Sequence, residues 1–333
     1  MSVREASHAG SWYTDDRQRL NTQLSGWLQD VKPQEDDNFH PPIEGCKAII
    51  GPHAGYSYSG PAAAWAYKSI DTVGIRRVFV LGPSHHVYLD GCALSRCNGY
   101  ETPIGDLPLD LETIQDLRNT GKFSDMDLET DENEHSIEMH LPYIRKVFEG
   151  QNIKLVPILV GAIDTEKETL FGELIAPYLL RDDTFCVVSS DFCHWGARFR
   201  YTNYYPDPAL VPSSVRATQL STSTKATMYQ HHPIHASISA LDHEAMNILT
   251  IPANTATKDA HNVFAAYLAK TKNTICGRHP IGVLLGALAF IDSTKSGDQH
   301  NSITMRWVRY EQSSKCASPR DSSVSYASAY VIF

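Results

Sequence analysis

Residues 78–87 read Val78-Phe-Val-Leu-Gly-Pro-Ser-His-His-Val87. A short continuous apolar run closed by a Gly-Pro turn is the pattern of a strand buried on both faces. Two imidazoles immediately beyond it have no place in such a core. The same punctuation recurs elsewhere in the chain. Lys47-Ala-Ile-Ile50 runs into Gly51-Pro-His53-Ala-Gly55, and Phe185-Cys-Val-Val188 runs into Ser189-Ser-Asp191-Phe-Cys-His194-Trp195. Further strands are predicted over 153–160 and near 303–310 and 324–332. Periodicity predicts a helix from Thr14 as cap, one from Pro61, and others over 110–120, 131–149, 166–180, 236–249 and 258–270, with a last one from Ile281.

Short apolar strands alternating with helices predict an α/β fold with a mostly parallel central sheet flanked by helices. We read residues 1–333 as a single domain. Residues 33–45, Pro-rich and acidic, and 206–227, rich in Ser, Thr and Pro, are expected to be loop insertions. Parallel strands deliver their carboxyl ends to one edge, where open α/β sheets bind ligands. His53, His85 with His86, and His194 are therefore expected to share a site.

Composition narrows the function. The 333 residues carry a net charge of −9, and their 29 Lys and Arg are scattered without a basic stripe, so no nucleic-acid partner is expected. The longest apolar stretch, Gly282 to Ile291, is half of the roughly 20 residues a membrane span needs, so no membrane association is expected. Seven widely spaced cysteines without a CxxC pair, and an N-terminus without an apolar signal core, predict reduced thiols and a cytoplasmic location.

The loop histidines suggest metal chemistry. His53, His85 and Cys276 come from three loops that the sheet can bring together. Cys276 precedes a helix, and that helix's N-terminus with Arg278 and His279 is expected to lower its pKa. Two imidazoles and a thiolate suit copper, iron or zinc rather than magnesium or calcium, and leave a coordination position open. Each residue has a plainer alternative. His53 can serve a turn, one of His85 and His86 must point away, and Cys276 can be a small buried hydrophobe. Asp191 and His194 form a second pair, either an orienting carboxylate with its acid–base imidazole or a loop-fixing hydrogen bond. His135 and Glu138, three apart on a predicted helix, share a face that is either a pocket wall or solvated. His86, His135, Arg278 and His279 are taken as pocket-lining.

Six blocks in order carry a family likeness: Ser7-His-Ala-Gly-Ser-Trp-Tyr13, Pro52-His-Ala-Gly-Tyr56, Leu81-Gly-Pro-Ser-His-His86, Glu134-His-Ser-Ile-Glu-Met-His-Leu-Pro142, Ser189-Ser-Asp-Phe-Cys-His-Trp195 and Ile275-Cys-Gly-Arg-His-Pro-Ile-Gly282. With the ending Asp321-Ser-Ser-Val-Ser-Tyr326, they resemble the Memo family, named for "mediator of cell motility". The resemblance implies a fold like that of the class III extradiol dioxygenases, which hold Fe(II) with two His and a Glu. It places His53 and His85 at the two His ligands, Cys276 at the Glu and His194 at the acid–base His. A thiolate there makes the site softer, so ring cleavage is not expected. The resemblance further implies metal binding, redox activity and intracellular signalling in the cytoplasm and nucleus.

Three functions compete on this reading. The first is a copper- or iron-dependent oxidoreductase, with His194 and Asp191 moving protons. The second is a non-catalytic module that seats a protein or phosphopeptide partner in the same cleft. The third is a zinc hydrolase.

Overall fold

The computed structural model describes residues 2–33, 38–251, 257–294 and 303–333. Residues 34–37 of the expected 33–45 loop lie outside them. Among the described residues the main sheet has nine strands. From edge to edge they run Asp191–Trp195, Ser323–Ile332, Cys46–Gly51, Thr184–Ser189, Arg77–Pro83, Lys154–Val160, Cys92–Leu94 and Ser124–Asp125, and Thr304–Gln312 also pairs with Ser323–Ile332. The four central strands, 46–51, 184–189, 77–83 and 154–160, are mutually parallel. The strands flanking this quartet are antiparallel to it.

The middles of the central strands are apolar because both of their faces are covered. Val78, Phe79, Val80 and Leu81 are wholly buried, as are Ile49, Ile50, Val187 and Val188. Helix Tyr56–Lys68 lays its alanines on strands 46–51 and 323–332. Helices Thr165–Leu179 and Arg278–Thr294 pack on each other and on strand 184–189. Glycine sets that last spacing: a Cβ on Gly172 would stand 2.4 Å from the Ala287 nitrogen.

Four expectations need correction. Helix 56–68 starts five residues before Pro61, which sits inside it and only forgoes one internal hydrogen bond. The expected 131–149 helix is three short ones, Leu128–Asn133, His135–Glu138 and Leu141–Val147. Glu134 breaks the run in extended conformation (φ −84°, ψ 120°), and its side chain caps the next turn. Asp16, not Thr14, caps the first helix, accepting from Arg19 N at 2.7 Å. Asp191–Trp195 is a strand rather than a loop, paired to 323–332 across a register shift between Asp191 and His194. Within 206–227 the structure shows short 3-10 turns, and Thr218–Gln219 pairs with Asn203–Tyr204. Among the described residues no helix is long and apolar enough to cross a membrane.

Candidate metal centre

The carboxyl ends of the parallel strands carry the site. His53 follows strand 46–51, His85 follows 77–83, and Ser189 ends 184–189 with Asp191 just beyond. Two close approaches complete it. A Cβ on Gly82 would come within 2.6 Å of Ser136 Oγ and Ile137 Cγ1, so bare backbone lets the His135 turn settle on strand 77–83. A Cβ on Gly277 would lie 2.3 Å from the Ser189 carbonyl oxygen, so glycine lets the Cys276 turn close over Ser189–Ser190.

Hydrogen bonds fix the imidazole tautomers. Ser189 Oγ donates to the Ser136 carbonyl at 2.8 Å, so it accepts from His53 Nδ1–H at 2.6 Å. That leaves the lone pair on Nε2, which faces Cys276 Sγ at 3.1 Å. His85 Nδ1 donates to Glu134 Oε1 at 2.9 Å, while its backbone N–H donates to Oε2 at 2.7 Å. Its Nε2 is thereby left as the lone-pair nitrogen. Such partners behind an imidazole orient it as a metal ligand.

Electrostatics disfavour protonation of His53 and His135. Burial, with the neighbouring His85 and His135, pushes His53 well below the ordinary imidazole value. Burial and the His85 ring take His135 down to about 3. Burial would raise Glu134, but hydrogen bonding and charge from His85 outweigh it and hold the carboxyl at about 2. Burial lifts Asp191 to about 7, against hydrogen bonds from the His53 and Ala54 amides.

Two expectations about these residues fail. Burial, and then the Asp191 carboxylate, push the Cys276 thiol upward rather than down. Arg278 is exposed and donates to His279 Nε2 at 3.2 Å, and His279 gives its Nδ1 to Glu168 Oε1 at 2.7 Å, so both are engaged elsewhere than at the thiol. Without a cation beside it the sulfur keeps its proton. Asp191 and His194 do not pair either. Asp191 accepts from the His53 amide at 2.9 Å, and His194 Nδ1 binds the Phe192 and Thr274 carbonyls at 2.9 and 3.2 Å. Asp191's bond to the His53 amide is the loop-fixing alternative of the two readings.

Among the described residues two donor sets lie within 4.8 Å: His53 with His85 and His135, and His53 with Asp191 and Cys276. The three ligands expected from the sequence thus fall into two sets that share His53. His135 stacks between Trp12 and His85, with ring centroids at 4.3 Å on either side. Glu138, its expected partner on a helix face, is fully buried and bonded to Arg4, His8 and Tyr13 instead. His86 is exposed and 5.9 Å from the His135 ring. His86, Arg278 and His279 join neither set.

Sequence reading missed Glu134 and Ser189 as the supports of His85 and His53. It also missed His140, buried with Nδ1 2.7 Å from the Tyr67 hydroxyl and no partner for Nε2. The adjacent Glu134-His135 was a usable signal: a carboxylate next to a site histidine, in a block already singled out. Ser189 opens another of those blocks, at the end of a predicted strand, but only the fold sets its hydroxyl against His53.

The donors fit a transition metal. Oriented imidazoles lie beside a thiol and a carboxyl, and the buried His135 Nδ1 has no hydrogen-bond partner. Such a set suits a borderline or soft ion.

Comparison with known proteins gives a consistent answer. A family described as "Memo-like protein" matches residues 4–330. "Protein MEMO1" of Homo sapiens is 44% identical over 328 residues, covering 97% of this chain and 95% of that protein. The Danio rerio protein of the same name is 45% identical over 335 residues, covering 100% and 98%. "Protein memo-1 homolog" of Caenorhabditis elegans is 39% identical, covering 98% of this chain and 81% of its own length.

Proposed function

The chain belongs to the Memo family, and on that premise we propose that it is a transition-metal-binding protein with a copper- or iron-dependent redox role. The observation that carries this reading is His53 Nε2 at 3.1 Å from Cys276 Sγ, with Asp191 in the same donor set. His53, Asp191 and Cys276, or His53 with His85 and His135, would hold the ion. When bound, it would supply an electron-transfer centre. The chain's own residues do the rest. Ser189 and Glu134 hold the two rings in their ligand tautomers, and Cys276 releases its proton on binding. His194, its Nδ1–H committed to two carbonyls, keeps Nε2 available to accept a proton.

The test is metal content of protein purified under reducing conditions, compared with His53→Ala and Cys276→Ser. We expect about one equivalent of copper or iron, falling at least tenfold in His53→Ala. Equal, substoichiometric metal in all three proteins overturns the reading.

A second reading, a cleft that seats a protein or phosphopeptide, draws support from the exposed Arg278 and from Trp12, 36% exposed beside His135. It requires metal-free and metal-loaded protein to bind the partner equally. The proposed location is the cytoplasm and nucleus.

A further inference from the structure

A second concavity lies toward the amino ends of the parallel strands. Its cations stand out in a chain with 38 acidic and only 29 basic residues. Two adjoining hollows of about 290 and 430 Å³ share Arg17, Ile104 and Arg145 in their walls. We infer that together they bind a small phosphomonoester, with Arg17, Arg145 and Lys146 on the phosphate and the larger hollow around its organic body. The inference does not depend on the metal reading.

Three observations carry it. First, the cations are unspent. Arg17, at the start of helix Arg17–Asp30, is exposed and makes no ion pair among the described residues. Arg145 is half-buried, likewise without an ion pair, and gives one N–H to the Phe148 carbonyl at 3.4 Å, which leaves the rest of its planar fork unengaged. Lys146 Nζ is held by Asn21 Oδ1 at 2.9 Å and Glu149 Oε2 at 2.8 Å, with a proton to spare. Glu149 is the one carboxylate in the smaller hollow. Second, the backbone makes room for Arg145. Gly105, at φ 126°, donates its N–H to the Thr102 carbonyl at 3.0 Å and accepts from the Thr102 hydroxyl at 2.6 Å. A Cβ there would stand 3.3 Å from Arg145 Nε, so glycine leaves the guanidinium its space. Third, the place is separate from the metal cleft. Lys154 lines the larger hollow and begins strand Lys154–Val160, whose other end pairs Val160 with Pro83, just before His85. That strand is about 20 Å long.

A phosphomonoester carries a charge of about −1.5 to −2 at neutral pH and presents three strong acceptor oxygens. Guanidinium forks match that charge and shape, and their bidentate bonds to phosphate are among the strong ones. A monocarboxylate would satisfy only one of the two arginines. The larger hollow combines Ile104, Leu107 and Ile153 with Asp106 and Asn152, a mixed wall suited to the carbon skeleton and hydroxyls of a sugar-like body. Hollows of this size hold small molecules.

The experiment is isothermal titration of the full chain, at low ionic strength, with inorganic phosphate, glucose 6-phosphate and glucose as probes. The wild type is compared with Arg145→Gln, Arg17→Gln and His53→Ala. Arg17 is exposed, so its variant keeps the test open should Arg145→Gln fail to fold. We expect one equivalent of glucose 6-phosphate with a dissociation constant below about 1 mM, at least threefold tighter than inorganic phosphate, and no binding of glucose. Arg145→Gln should weaken both phosphates about tenfold and Arg17→Gln about threefold, as loss of charge-assisted hydrogen bonds requires. His53→Ala should bind them as the wild type does. No saturable phosphate binding in the wild type, or arginine variants that bind like it, overturns the site. Glucose 6-phosphate no tighter than inorganic phosphate overturns the phosphomonoester assignment. Loss of binding in His53→Ala, with both arginine variants unaffected, moves the anion to the metal cleft and overturns the site as well.

Discussion

Two polar clusters lie close together, one around Glu138 and one around His53, the second open to solvent at His85. Glu138 is saturated: it accepts from Arg4 Nη2 at 2.7 Å, from Tyr13 at 2.8 Å, and from His8 through its backbone amide at 2.9 Å and Nδ1 at 2.7 Å. Nearby, Asp131 takes Ser95 and Tyr100 at 2.5 and 2.7 Å, and Arg4 Nε stands 3.2 Å from it. Around His53 the pattern inverts. His53 and His85 each have one nitrogen anchored from behind, the buried His135 Nδ1 has no hydrogen-bond partner, and the three rings offer donor atoms within 4.8 Å of one another. Saturation marks a structural joint, because a group with all its bonds made has nothing to offer a ligand. Leftover lone pairs, held rigidly, mark a site.

If that contrast is right, the largest effect belongs to the joint. Arg4→Met leaves Glu138 and Asp131 as buried carboxylates without their cation. It should cost about 3–5 kcal/mol in denaturant unfolding. Its metal affinity per folded molecule should stay unchanged. A fall in both would merge the two clusters into one functional unit.

Acid sharpens the same contrast. Burial alone would raise Glu138, but the His8 hydrogen bond and the Arg4 charge outweigh it and hold its carboxyl at about 2, below the ordinary 4.5. A depressed folded-state value stabilises the native state fully above the unfolded value. That contribution, about 3 kcal/mol, is lost as the pH falls from 4.5 through 2. Unfolding free energy measured over that window should drop steeply in the wild type and less in Glu138→Gln. Parallel curves would remove Glu138 from the account.

The smallest effect should come from the support behind a ligand. Glu134→Gln preserves shape, but Gln brings donors where His85 Nδ1 and two backbone amides all need an acceptor. Metal affinity should fall about 10–100-fold, with little change in overall stability. Isothermal titration with the metal resolves this, and an unchanged affinity would mean that His85 does not ligate.

The central strands were legible because their apolar runs need burial on both faces wherever they sit. Arg77–Pro83 and Thr184–Ser189 extend the predicted strands by a residue or two. Asp191–Trp195 was misread because a mixed, polar-ended segment becomes an edge strand only when a distant partner, here 323–332, arrives to pair with it. Similarly, Glu134 broke a helix that periodicity made continuous, since its side chain serves both the following turn and His85.

The sequence by itself determined the α/β plan and the residue types gathered at the strand ends, since hydrophobic periodicity and strand-end chemistry are local properties. Only the tertiary structure decided which donors lie close enough to share an ion, that burial pushes the Cys276 thiol upward, and that His135 lies with His53 and His85. Those outcomes depend on through-space distances and on burial. Both are fixed by contacts such as Gly277 on Ser189 and Gly82 on Ser136, between residues far apart in the chain.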